Sequence, residues 1–214
     1  MPKLARSPRC AEPVIVEQFV QPDIGPDTSM SLEACVSAAP RGGLRDDLAW
    51  MAEALESRTL SRGEIFYSFG QACHDLAVLQ SGLLYVHASS SSGHKFVLDF
   101  LFPGTAAVPM ESVINGTPSE VCIEAIEDSV LLVWPRAGGR AGCRLASLRL
   151  EKRMIEAAMI RKSQRFLSLL TTNAAERYAR LDKEFPPNWR AIPQHLLAAY
   201  LAVTPQYLCR LKRG

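Results

Sequence analysis

The stretch that decides the fold is IPQHLLAAYLAVTPQYLCRLKRG, residues 192–214. Its spacing predicts two short helices joined by a tight turn. Small Ala198 stands where two helices can cross closely, and apolar side chains fall where they would close a shared core: Leu201, Val203, Leu208 and Leu211. Thr204-Pro205 predicts the start of the second helix, because Thr is a favoured N-cap and Pro at the first helical position loses no N–H bond. The pattern is typical of a helix-turn-helix.

This apolar stripe leaves a polar face on the second predicted helix. Gln suits adenine edges and Arg suits guanine edges in the major groove, while an N-cap region can approach a phosphate. We therefore expect double-stranded DNA to be contacted by six residues, namely Thr204, Gln206, Tyr207, Arg210, Lys212 and Arg213. An ordinary helical hairpin within a core is the alternative interpretation of the same pattern.

The charge distribution favours a polyanionic partner for the C-terminal third. The formal net charge is only +2, but residues 140–214 hold 15 Lys and Arg against 5 Asp and Glu, whereas residues 1–139 hold 9 against 17. A basic end attached to an acidic body indicates that the two ends meet different partners.

Composition indicates an ordinary globular chain. At 214 residues and 48% hydrophobic, it can bury one sizeable core and a small second domain. Its apolar runs are too short to span a bilayer and its N-terminus lacks a secretory pattern, so we expect a cytoplasmic protein without membrane contact. The six cysteines form no C-x-x-C pair, so no metal site is expected from them. Cys209 is predicted to face outward on the second helix, where oxidation would change DNA contact.

Residues 60–134 read as short strands separated by glycines, which predicts a sandwich or jelly-roll barrel that could enclose a small ligand. The candidate strands are 65–67, 76–79, 83–87, 96–101, 121–125 and 130–134, with a hairpin tip at SSSSGHK (89–95). Before them, residues 1–43 read as a mobile extension and 44–55 as a short helix.

A helical period runs from about 143 to 170, after the glycine-rich link RAGGRAG (136–142). Its apolar stripe is longer than one small barrel can cover, so we expect a second copy of the chain to cover it. The dimerisation residues would be Leu145, Leu148, Ile155, Met159 and Phe166. A helix packed only across its own barrel is the alternative. Asn173 and Glu176 predict a capping box for the next helix, which Pro186-Pro187 would end.

In this order of elements the chain resembles the Crp/Fnr family of bacterial transcription regulators. The resemblance rests on SRGEIFYSFG (61–70), LAVLQSGLLYV (76–86), FLFPGT (100–105), IEAIEDSVLLVWP (123–135), AAERYARLDKEFP (174–186) and IPQHLLAAYLAVTPQYLCRLK (192–212). It implies an α+β fold: a cyclic-nucleotide-binding-like jelly-roll barrel over 44–140, a dimerisation helix over 141–171, and a helix-turn-helix over 172–214 that lacks most of the usual wing.

The resemblance also implies partners. The chain would form a homodimer on a two-fold related DNA site, with recognition helices about 34 Å apart. RNA polymerase is a further implied partner, and the small-molecule effector is unknown.

The sequence departs from relatives that bind cyclic AMP. Val108-Pro109 stands where they carry Gly-Glu, Ser119 stands where they carry an Arg that holds the phosphate, and no Lys or Arg occurs from 96 to 135. Glu111 is the nearest candidate for a displaced acid. Because a buried phosphate needs cations or N–H donors, we expect no strong cyclic-nucleotide binding. Val108, Glu111 and Ser119 remain the candidate effector residues. Ala202 also replaces the Gly usual in the turn of the helix-turn-helix.

Two other function classes fit parts of the pattern. A jelly roll can hold a catalytic metal, and His87 and His94 could face each other across a hairpin, but no paired histidine spacing or nucleophile motif supports an enzyme. We expect no cofactor and no catalytic residue. A sensor or protein-interaction module with only weak DNA binding is the other alternative.

Overall fold

In this computed structural model, the described residues are 56–73, 75–90, 93–134 and 144–213, with backbone only for 144–151 and 153. The predicted extension over 1–43 and the predicted helix over 44–55 lie outside these residues. The same holds for His74 and the glycine-rich link.

Within the described residues, seven antiparallel strands form two sheets. In chain order they are β1 Glu56–Leu60, β2 Ile65–Tyr67, β3 Leu76–Ser81, β4 Leu84–Ser89, β5 Lys95–Leu101, β6 Cys122–Ala125 and β7 Ser129–Trp134. One sheet has the order β1-β7-β3 and the other β2-β6-β4-β5. This arrangement confirms the predicted jelly-roll domain, and the β4–β5 pairing confirms the hairpin.

Strand β1 and a short helix were not predicted. The β1 sequence ESRTL is mostly polar and all its residues except Leu60 are exposed, because β1 pairs only with β7 at the sheet edge. Helix α1, Met110–Asn115, is a six-residue segment that ends at Gly116 with φ 65°. Neither segment is long enough or periodic enough to produce a hydrophobic pattern.

The barrel interior is filled by its own side chains. Apolar residues from both sheets form one cluster with Met110 and Val113 of α1. Met154 and Ala158, from the long helix α2 (Arg144–Thr171), are also buried in this cluster. The long helix therefore packs along its own barrel on one side.

The C-terminal region contains three further helices. Helix α3, Ala174–Glu184, begins at the predicted capping box: the Asn173 side chain accepts from Glu176 N, and Glu176 accepts from Asn173 N. A 3-10 turn over Pro187–Ala191 leads to α4, Gln194–Tyr200, and α5, Pro205–Leu211. No helix in the described part of the chain combines the length and apolar character that a bilayer span requires.

A second apolar cluster joins the barrel to the C-terminal helices. It contains Tyr85 and Phe100, from the outer face of the four-stranded sheet, together with Leu197, Tyr200 and Leu208 from α4 and α5. The aromatic rings of Phe100 and Tyr200 lie 5.2 Å apart. The C-terminal helices and one face of the barrel thus share this second core.

Candidate DNA-binding interface

Helices α4 and α5 form the helix pair that the sequence predicts. Ala198 is fully buried at their crossing, and Leu201 and Leu208 are buried beside it, while Val203 and Leu211 are partly buried. This small core has the members expected from the sequence. It fixes α5 against α4 with the polar face of α5 directed away from the protein.

The turn between the two helices follows a standard helix-terminating pattern. Ala202 adopts the left-handed conformation with φ 55°, and it is the one non-glycine residue with positive φ in the described part of the chain. Ala202 N donates to Ala199 O at 3.1 Å and Val203 N donates to Ala198 O at 2.9 Å. These two bonds are those of a Schellman motif, in which Gly normally occupies the left-handed position.

The first turn of α5 is capped by its own sequence. Thr204 is the N-cap residue, and its hydroxyl accepts a hydrogen bond from Tyr207 N at 3.2 Å. Pro205 occupies the first helical position, where the absence of an N–H has no cost. The N-cap that the sequence predicts is therefore formed.

All six residues predicted to contact DNA lie exposed on or next to α5: Thr204, Gln206, Tyr207, Arg210, Lys212 and Arg213. The guanidinium carbon of Arg210 lies 5.5 Å from the centre of the Tyr207 ring, within cation–π range. Cys209 is also exposed, with its sulfur 3.6 Å from Gln194 Oε1. The helix thus presents one continuous polar and basic surface.

A cleft of about 360 Å³ adjoins this surface, between the start of α3 and the first turn of α5. Its walls include Arg177 from α3, Ala202 from the turn, and Thr204, Tyr207 and Arg210 from α5. The cleft therefore carries two cationic side chains, one on α3 and one on α5. Sequence reasoning missed Arg177, because an isolated Arg on a helix carries no motif.

The three candidate effector residues differ in exposure and in their partners. Val108 and Ser119 are buried, and the Ser119 hydroxyl donates to Val121 O at 2.7 Å. Glu111 is exposed and pairs with Lys162 of α2. Burial raises the pKa of Glu111, but the Lys162 ammonium outweighs this effect, so the pKa lies below its ordinary value.

The predicted dimerisation residues of α2 differ in exposure. Met159 and Phe166 are exposed, whereas Ile155 is half-buried against the barrel cluster. The side chains of Leu145 and Leu148 are not described. Leu170 extends the stripe of Met159 and Phe166 toward the end of the helix, and Ile160 and Leu167 are exposed beside it. Ile155 therefore contacts the chain's own barrel.

The two hairpin histidines do not meet. His87 is buried beside Glu124, with Nε2 3.3 Å from Oε2, while exposed His94 packs edge-on against Phe96. Within the described ranges, no group of three potential metal ligands is present.

Comparisons with known proteins agree with this architecture. Residues 57–141 match the family described as the cyclic nucleotide-binding domain. No curated protein matches the chain at a significant level.

Solved structures of bacterial regulators are similar over both parts of the chain. FixK2 from Bradyrhizobium japonicum has a TM-score of 0.64 at 18% identity, covering 74% of this chain and 83% of its own. The global regulator CLP from Xanthomonas campestris, described as responsive to c-di-GMP, has a TM-score of 0.63 at 12% identity, with 78% and 89% covered. A transcriptional regulator of the CRP family from Thermus thermophilus, TTHB099, has a TM-score of 0.60 at 18% identity, with 73% and 82% covered. This chain therefore contains a cyclic nucleotide-binding domain and has the fold of the Crp/Fnr family of transcriptional regulators.

Proposed function

We propose that the protein is a homodimeric transcription regulator that reads a two-fold related DNA site with α5. The observation that carries this proposal is the exposed face of α5, where Gln206 and Arg210 stand free of the protein core on a helix held rigidly by a capped start and a buried crossing. A rigid helix with base-reading side chains on one face is what major-groove recognition requires. Lys212 and Arg213 would bind the adjacent phosphates.

The stripe on α2 supports the homodimer. Met159, Phe166 and Leu170 are at least half exposed, and they recur at intervals of seven and four residues. Such spacing places them on one face of a helix, where the same stripe of a second copy can cover them. Pairing of two α2 helices would set the distance between the two copies of α5.

The barrel is proposed not to respond to cyclic AMP through the usual phosphate-binding turn. The Ser119 hydroxyl already donates to the backbone, and Glu111 is paired with Lys162. No Lys or Arg between 96 and 135 is available to hold a cyclic phosphate. Isothermal titration calorimetry with cyclic AMP should detect no micromolar binding, and a clear micromolar isotherm would overturn this part of the proposal.

Selection of bound duplexes from a random DNA pool tests the main proposal. We expect an inverted repeat to be enriched, and this enrichment should persist when the salt concentration is raised. If only salt-sensitive binding without sequence enrichment is found, the protein is not a sequence reader in its isolated state, and the alternative of a sensor with weak DNA binding is favoured.

A further inference from the structure

Two arginines from other helices donate hydrogen bonds to carbonyls at the C-terminus of α4. Backbone N–H groups satisfy the carbonyls of Leu197, Ala198 and Ala199. The next two carbonyls, of Tyr200 and Leu201, accept hydrogen bonds from side chains instead. These carbonyls lie directly before the turn that leads to the DNA-reading helix, so whatever binds them also holds the turn.

The first donor is Arg165, on the long helix α2. One of its terminal nitrogens donates to Tyr200 O, and its guanidinium carbon lies 3.7 Å from the centre of the Tyr200 ring. The guanidinium therefore binds both the backbone and the side chain of the same residue. A cation at a helix C-terminus is also favoured by the helix dipole.

The second donor is Arg177, on α3. One terminal nitrogen donates to Leu201 O at 2.9 Å and the other donates to Thr172 O, immediately after α2. Arg177 thus connects the end of the long helix to the turn of the helix-turn-helix. A forked guanidinium suits two separate carbonyls better than the compact ammonium of Lys, because its two terminal nitrogens are held apart in a fixed plane.

The turn that these arginines hold is strained. Ala202 follows Leu201 directly and occupies the left-handed region, where the Cβ of an L-residue is crowded by the following carbonyl. Ala202 also lines the cleft beside Thr204 and Arg210. A shift of this residue would therefore move the first turn of α5 relative to α3.

We propose that Arg165 and Arg177 are positioning residues for DNA recognition: they hold the carbonyls of Tyr200 and Leu201 and thereby keep Ala202 in the left-handed conformation that orients α5. This inference rests on the proposed function and adds to it a physical link between the dimerisation helix and the reading helix. The two arginines thereby stabilise a left-handed conformation that glycine would adopt at residue 202 without strain.

The test is a double-mutant cycle between Arg177→Gln and Ala202→Gly. Arg180→Gln is the matched control, because Arg180 lies one turn further along α3, is exposed, and carries the same charge. We expect Arg177→Gln to weaken binding to the selected duplex about tenfold more than Arg180→Gln does. Arg177→Lys should bind the duplex nearly as weakly as Arg177→Gln does, since a positive charge alone does not restore the hydrogen bonds to the two carbonyls.

Ala202→Gly should restore most of the lost affinity in the Arg177→Gln background and change little in the Arg180→Gln background. Equal effects of Ala202→Gly in both backgrounds, or equal losses from Arg177→Gln and Arg180→Gln, would overturn the inference. Thermal unfolding of each variant identifies any that fail to fold.

Hydrogen exchange of the Ala202 and Val203 amides separates this inference from the proposed function. Both amides donate to α4 carbonyls in the Schellman turn. Arg177→Gln and Arg165→Gln should each speed their exchange at least about fivefold, and Ala202→Gly should slow it again in the Arg177→Gln background. Unchanged exchange would overturn the inference even if sequence-specific DNA binding is established. If the exchange rates change as expected but no duplex is enriched, the role of the arginines in the turn is supported and the proposed DNA-binding function is not.

Discussion

At the scale of the residue, His87 is a buried imidazole in a polar setting. Tyr85 stacks on its ring at 5.0 Å from the same strand, Glu124 faces it from β6, and Lys95 on β5 lies 3.6 Å from the same carboxylate oxygen of Glu124. Among the described residues, neither ring nitrogen has a hydrogen-bond partner of good geometry. Burial, reinforced by Lys95, therefore lowers the pKa of His87 despite the carboxylate.

This depressed pKa predicts acid sensitivity. The unfolded chain binds a proton near pH 6.5, whereas the folded chain does so only at lower pH, so the stability contributed by neutral His87 is complete above about pH 6.5. It is lost as the pH falls from there through the folded pKa. Urea unfolding between about pH 7.5 and 5 should show this loss, and His87→Gln should reduce the slope. His94→Gln, at an exposed histidine, should leave the slope unchanged; equal slopes for wild type and His87→Gln would contradict the assignment.

The capping and packing residues of α5 were predictable from the sequence, but the two arginines that bind the carbonyls before it were not. The N-cap Thr204 and the buried Leu208 follow from local spacing and capping chemistry, and the structure confirms them. Arg165 and Arg177 bind backbone carbonyls 35 and 24 residues away. Because every residue has a carbonyl, such a contact leaves no pattern in the sequence.

At the scale of the element, α2 has two distinct faces. Met154 and Ala158 are buried against the barrel, and Arg161 reaches Asp99 of β5 at 3.5 Å. The opposite side carries the exposed stripe that includes Phe166 and Leu170. One helix therefore stabilises its own barrel and also presents an uncovered apolar surface.

The proposed dimer predicts the effect of a charge on this stripe. Phe166→Glu would place a carboxylate in the interface, where its desolvation is unfavourable, and should shift the protein to monomer at micromolar concentration. Sedimentation velocity measures the change. Gln164→Glu is the control, because Gln164 is exposed on the same helix outside the stripe and should remain in the wild-type state. A wild-type protein that is monomeric at high concentration, or an unaffected Phe166→Glu variant, would contradict the dimer.

Long periodic elements were predictable and short ones were not. The predicted 143–170 helix is observed as Arg144–Thr171, and the six predicted strands are present with ends shifted by no more than about two residues. Strand β1 depends on pairing with β7, whose paired residues lie 69 to 77 positions later. Helix α1 depends on packing of Met110 and Val113 into the barrel. Their own sequences are too short or too polar to specify them.

For the molecule as a whole, the barrel shares an apolar core with helices α4 and α5. Phe100 and Phe102 of the barrel meet Phe185 and Tyr200 of the C-terminal region, with ring centres 5.1 to 6.1 Å apart. The sequence predicts a barrel and a helix-turn-helix as separate units. It contains no indication that the outer face of one sheet is the surface on which the helices pack, because an apolar residue on a strand does not reveal which element covers it.

This shared core predicts cooperative unfolding. Calorimetry should show one main transition, and Phe100→Ala should lower the free energy of unfolding by about 3–5 kcal/mol while the transition broadens or divides. Phe96→Ala on the same strand should cost less than about 1 kcal/mol, since Phe96 is half exposed. Two well-separated transitions in the wild-type protein would show that the two parts unfold independently.

Recognition of DNA bases by α5 is tested by comparing two variants on two duplexes. Affinities for the selected inverted repeat and for an unrelated duplex are measured by fluorescence anisotropy for wild type, Arg210→Ala and Lys212→Ala. Arg210→Ala should lose about 1–3 kcal/mol of binding free energy on the selected repeat and much less on the unrelated duplex. Lys212→Ala should weaken binding to both duplexes equally. Equal losses on both duplexes for Arg210→Ala would mean that α5 contributes only general charge, and would contradict the account.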